Sequence, residues 1–131
     1  RDGRDLTRIQ RIDGVTSVPM AIFRDGFGKD RHAQIGACSA AELTGAMRRA
    51  ARAGQRHFVI LSHGTEMLRP WKPIPDRIVA RRFESVCAWL GRHREDYPTA
   101  GVADLRLDGE DGGGRSRASL YYVEQGLRRY L

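Results

Sequence analysis

His57-Phe58-Val59-Ile60-Leu61-Ser62-His63 is the stretch on which the reading of the fold turns. Phe58 to Leu61 are apolar on both sides of an extended chain, the pattern of a central parallel strand covered by helices on both faces. Immediately upstream, Ser39-Ala40-Ala41-Glu42 has the spacing of a capping box, in which a serine hydroxyl accepts from the backbone three residues on and the glutamate reaches back. A helix is predicted from there, with Leu43, Ala46, Met47 and Ala50 on its apolar face and Gly54 as its stop. Arg48, Arg52 and Arg56 recur every four residues on the other side and read as a solvated face.

Further upstream, Val18-Pro19-Met20-Ala21-Ile22-Phe23 is a short apolar run bounded by glycines and reads as a buried strand, with Pro19 at an early position that can do without a ladder donor. Residues 24–37, with three glycines and mixed charges, read as a loop. Downstream of His63, three prolines and Trp71 predict an irregular loop up to Pro75. Asp76 is placed to cap a second helix with an apolar stripe of Val79, Phe83, Val86, Cys87 and Leu90, where Cys87 reads as a small core residue. Residues 98–103 read as a third short strand, 108–114 as a flexible connection, and Leu120, Val123, Leu127 and Leu131 as the apolar face of a last helix. The order strand, helix, strand, helix, strand predicts an α/β fold of parallel strands alternating with helices. The chain is read as a single or partial domain over 1–131, with an α/β core over 14–105 and a connection and C-terminal helix over 106–131.

The 131 residues are 40% apolar and 30% charged, which suits one small globular domain rather than a disordered tail. No apolar run approaches the roughly 20 residues needed to span a bilayer, so no membrane span is expected. The start, Arg1-Asp2-Gly3-Arg4-Asp5, has no basic-then-apolar secretory pattern, and two cysteines without metal spacing do not make a disulfide scaffold or a zinc module. A reducing, cytoplasmic location is expected, and a start with no initiator Met leads us to expect a chain that begins inside a longer protein. The net charge of +7 comes from 23 basic residues, all but Lys29 and Lys72 being arginine, against 16 acidic ones. That excess is dispersed and does not by itself choose between nucleic acid, anionic lipid and acidic polysaccharide.

Chemistry is expected at the carboxyl end of the 57–61 strand, because loops at those ends assemble the sites of parallel α/β folds. His63 stands there, where an imidazole can protonate a leaving group near neutral pH. Glu66, three residues on, either orients His63 or starts the next turn. Asp25 and Asp30 flank glycines and are explained by turn chemistry rather than metal binding. His57 and His63 are too far apart on an extended strand to close on one ion, and no H-x-x-x-H, G-x-S-x-G or phosphate-binding loop is present.

Phe58-Val59-Ile60-Leu61-Ser62-His63, an apolar strand ending Leu-x-His, resembles the last motif of the NodB-like polysaccharide deacetylases, carbohydrate esterase family 4. Gly64-Thr65-Glu66-Met67-Leu68, Arg82-Phe83-Glu84, the Val18-Pro19 strand and the helix after Ser39 extend the resemblance to the C-terminal half of bacterial members, over residues 14–105. The resemblance implies the C-terminal part of an irregular (β/α)7 barrel and a divalent metal, usually zinc. It implies removal of N-acetyl groups from a glycan or lipid-linked sugar. Carried over, His63 would protonate the departing amine and Leu61 would form the apolar floor for the acetyl methyl. Trp71, in the loop beyond, is read as a platform for a sugar ring or as an anchor for its own loop. Neither the family's paired-aspartate motif nor its H-x-x-x-H motif exists in this chain, so the metal ligands are absent and the chain alone is not expected to hydrolyse amides. Ser17 and Gly64 also stand where relatives tend to carry an acidic residue and a serine.

The competing expectation is a noncatalytic basic module for anionic glycan or nucleic acid, with nucleic acid disfavoured because no recognised binding motif is present. Half a barrel would leave edge strands and an apolar face uncovered. A homo-oligomer or a complementing N-terminal half is expected to cover them.

Overall fold

A computed structural model of the chain describes residues 9–104. The first elements are β1 (Gln10–Ile12) and β2 (Val15–Ser17), an antiparallel pair in which Ile12 faces Val15 across the two-residue loop Asp13-Gly14. Both loop residues have positive φ, 49° and 84°, the left-handed geometry whose twist matches that of a hairpin. A second antiparallel hairpin follows, β3 (Ile22–Arg24) with β4 (Asp30–His32). Its turn is organised by the buried Asp25, whose Oδ1 accepts from the Phe27 and Lys29 amides at 2.9 and 3.0 Å. Turn chemistry therefore accounts for Asp25, as its glycine flanks suggested.

The capping box forms as its spacing requires: Ser39 Oγ accepts from the Glu42 amide at 3.2 Å and Glu42 accepts from the Ser39 amide at 2.8 Å. It opens α1 (Ala40–Arg52), which buries Leu43, Ala46, Met47 and Ala50 and stops before Gly54, at φ 77°. Glu42 also takes the Arg31 guanidinium of β4 at 3.3 Å, and Arg31 reaches the Ala37 carbonyl as well. Asp76 caps α2 (Arg77–Arg92), its carboxylate accepting from the Ile78 and Val79 amides at 2.9 and 3.2 Å. Here the apolar stripe is rotated from the expected one: Val86 and Trp89 are buried, Val79 and Leu90 are half-buried, and Cys87 is exposed. Trp89 claims the core-facing position because its ring is the largest apolar surface on the helix. It stacks on His93 at 4.3 Å and meets Tyr97 at 4.8 Å, with the Arg48 guanidinium of α1 5.4 Å from its ring centre. The core joins Phe23 and Ala33 of the second hairpin to Ile35, Leu43 and Met47, with Val86 and Trp89 closing it from α2.

The expected α/β fold of parallel strands alternating with helices, resembling the C-terminal part of a (β/α)7 barrel, is overturned. The described residues make a small mixed fold of two antiparallel hairpins followed by two packed helices. Residues 57–61 run extended but form no strand of a sheet. The Leu61 amide donates to Ala33 and the Ile35 amide donates to Leu61, a single parallel bridge beside Gln34, while Val59 accepts from Ala21. A parallel strand needs cover on both faces, and every residue from 57 to 61 is only half-buried, with Phe58 and Ile60 packed on the core. Residues 98–101 are irregular and lead into a 3-10 turn, Val102–Asp104, where a third strand was expected. The loop expected over 24–37 contains the whole second strand of a hairpin. The C-terminal helix and the glycine-rich connection lie outside the described residues.

Candidate functional site

His63 closes the extended segment and precedes a 3-10 turn, Gly64–Met67, which swings Glu66 back beneath the imidazole. His63 Nδ1 lies 3.1 Å from Glu66 Oε1. A carboxylate only accepts, so Nδ1 carries the proton of this contact and Nε2 is the nitrogen left to exchange one with a substrate. The Gln34 side-chain amide donates to the same Oε1. Gln34 is brought there by its bridge to Leu61, so the backbone pairing of the extended segment sets the position of the carboxylate.

Gly36 stands against the other oxygen: a Cβ at this position would come within 2.9 Å of Glu66 Oε2, closer than carbon and oxygen tolerate without a shift. The Arg82 guanidinium of α2 donates to the Gly36 carbonyl at 3.1 Å, which ties this loop to the helix. Burial pushes the Glu66 carboxyl up, but the hydrogen bonds of His63, Gln34 and the Gly36 backbone, with the His63 charge, outweigh it and hold the group below its ordinary value. Glu66 is therefore a carboxylate at neutral pH. The two partners differ in access, the His63 side chain being 57% exposed and that of Glu66 19%.

Glu66 also lines an open groove of about 740 Å³, whose wall includes Gln34, Gly36, Arg69, Trp71 and Lys72. His63 and Leu61 are not part of that lining. Leu61 is half-buried and its backbone is spent on Ala33 and Ile35. Trp71 sits at the tip of a turn, fully exposed. Of the three residues singled out from sequence, His63 gains an oriented partner, Trp71 faces the groove, and Leu61 is held apart from both. Gln34 and Gly36 were missed, because they lie in a segment read as loop and meet Glu66 only through the tertiary bridge.

The other histidines are committed elsewhere or exposed. His93 Nδ1 lies 2.8 Å from the Trp89 carbonyl, and His32 is exposed on β4. Among the described residues no three His, Cys, Asp or Glu side chains are grouped so as to hold a metal ion. The carboxylate beside His63 has no second histidine or carboxylate grouped with it, so the described residues do not fit the zinc site that the resemblance implies. No helix among the described residues is long and apolar enough to cross a membrane. Comparison of the chain with protein-family models, with curated proteins and with solved structures finds no match.

Proposed function

We propose that this chain carries the acid-bearing portion of a polysaccharide deacetylase acting on an N-acetylated glycan or lipid-linked sugar. The observation that supports the reading is the hydrogen bond from His63 Nδ1 to an ionised Glu66 that Gln34 and Gly36 hold in place. When the amide C–N bond breaks, the nitrogen needs a proton, since an amide anion is a very poor leaving group. His63 gives up an Nε2 proton to that nitrogen, and Glu66, accepting from Nδ1, orients the ring for the transfer. Activation of the attacking water is left to a complementing partner. No step is assigned here to a metal.

The test is turnover of the protein purified from its natural source on an N-acetylglucosamine oligomer, followed by acetate release. His63→Ala is expected to lower kcat by about 10²–10⁴, the usual worth of a positioned acid, with the fold unchanged. Turnover retained in that variant would remove the reading.

A further inference from the structure

Trp71 breaks a local rule. The turn Arg69-Pro70-Trp71-Lys72 is closed by the Lys72 amide donating to the Arg69 carbonyl at 3.1 Å, and Trp71 takes its third position at φ 62°. That position of a type II turn favours glycine, and a bulky residue there is strained. The strained side chain gains nothing from its own molecule, since it is fully exposed. Residues held in such conformations mark places where strain serves function.

The surroundings specify the kind of partner. The turn is the tip of a braced projection: Leu68 bridges Pro75, and the Arg69 amide donates to the Ile74 carbonyl at 2.8 Å. Of the large apolar side chains exposed among the described residues, Leu68, Trp71, Ile74 and Ile78 fall between residues 68 and 78. Within 67–75 the only charges are Arg69 and Lys72, and neither has an ion-pair partner recorded among the described residues. The flanking carboxylates are turned to other work, Glu66 to His63 and Gln34, and Asp76 to the first turn of α2.

An exposed tryptophan with aliphatic neighbours and unopposed cations is the composition that settles at the boundary between lipid headgroups and acyl chains. We propose that the loop 68–75 docks the protein onto an anionic phospholipid surface, with Trp71 inserting at headgroup depth and Arg69 and Lys72 meeting the phosphates. Polar side chains, Gln34 and Glu66 among them, line the groove beside Trp71 and make a sugar the competing occupant, but Leu68, Ile74 and Ile78 are exposed beside the ring and favour an apolar boundary. This inference stands whether or not His63 serves deacetylation.

The experiment is co-sedimentation of the 131-residue chain with vesicles of phosphatidylcholine alone and of phosphatidylcholine mixed with phosphatidylglycerol. Binding is expected only to the mixed vesicles, with a blue shift of tryptophan emission that reports Trp71, because Trp89 is already buried. Trp71→Gly leaves every charge in place and suits the turn, so it should fold normally yet lose both the shift and most of the binding. Trp71→Asn, which also tolerates positive φ, gives the same reading should glycine loosen the loop. Each basic residue near such a surface is worth about fivefold in partitioning, so Arg69→Gln/Lys72→Gln should weaken binding about 25-fold by the same arithmetic. Arg52→Gln/Arg92→Gln removes the same charge elsewhere and should weaken it far less. Undiminished binding of Trp71→Gly would show general attraction of a basic protein and overturn the proposal. So would absence of vesicle binding, or retention on a soluble anionic polysaccharide that depends on Trp71.

Discussion

Replacing Glu66 by glutamine tests whether its charge holds the candidate site together. The shape is conserved, and Oε1 of the new amide still accepts from Gln34 and His63. The charge is lost, and an NH2 group replaces the buried oxygen that lies against Gly36. A hydrogen bond to a charged group contributes about 1.5–3 kcal/mol. The His63 contact adds at most about 1 kcal/mol, because that side chain is more than half exposed and screened by water. Burial of the carboxylate opposes both, which leaves a net loss of about 1–2 kcal/mol at neutral pH.

The sign with pH follows from the lowered carboxyl. In the unfolded chain the group takes up its proton near pH ~4.3, whereas in the folded one it stays ionised to lower pH. The stabilisation is therefore complete above about pH 4.3 and disappears as pH falls through the folded-state value. Urea midpoints of both proteins, measured from neutral pH into the acid range, should differ by a constant amount and then converge. A variant as stable as the parent at neutral pH, or a difference that ignores pH, would refute the reasoning.

Three further outcomes follow from the packing. Leu43→Ala empties a fully buried position in the middle of the core and should cost about 2–5 kcal/mol by urea titration. Glu42→Ala removes both the reciprocal cap and the partner of a mostly buried Arg31, so a loss of about 3–5 kcal/mol is expected, against about 1 kcal/mol for Ser39→Ala, both read as shifts in the urea midpoint. Cys87 is exposed, whereas Cys38 is buried and its thiol is pushed up by that burial, so a thiol reagent should modify one cysteine at once and the second only on unfolding.

What the sequence made legible was local. The Ser39 and Glu42 reciprocity, the Gly54 stop and the Asp76 cap are each written within a few residues, and all three form. Both hairpins escaped because their strands are short and their alternation is weak. Asp30, Arg31 and His32 carry no apolar residue, and only the Asp-Gly turns announce them. The 57–61 run misled for the opposite reason, since apolar residues on both sides describe a covered strand but do not supply the cover. At the site, the proximity of His63 and Glu66 could be read from their spacing. The carboxylate's other supports, Gln34 and Gly36, depend on a contact across 27 positions, from Gln34 to Leu61, that no local pattern encodes. On α2, the size of Trp89 set which face turned inward, and that decided the exposure of Cys87.

Arg31 has one more consequence. Helices ordinarily fray from their ends, where amides lack partners. The amino end of α1 is instead pinned to the second hairpin by a guanidinium that serves Glu42 and the Ala37 carbonyl at once. Opening the first turn would strand a buried charge, so hairpin and helix must loosen together as one cooperative unit. In amide hydrogen exchange, the Leu43 amide that closes on Ser39 should then share its opening free energy with the Ala33 amide that closes on Ala21, while the far end of the helix, near Ala53, exchanges sooner.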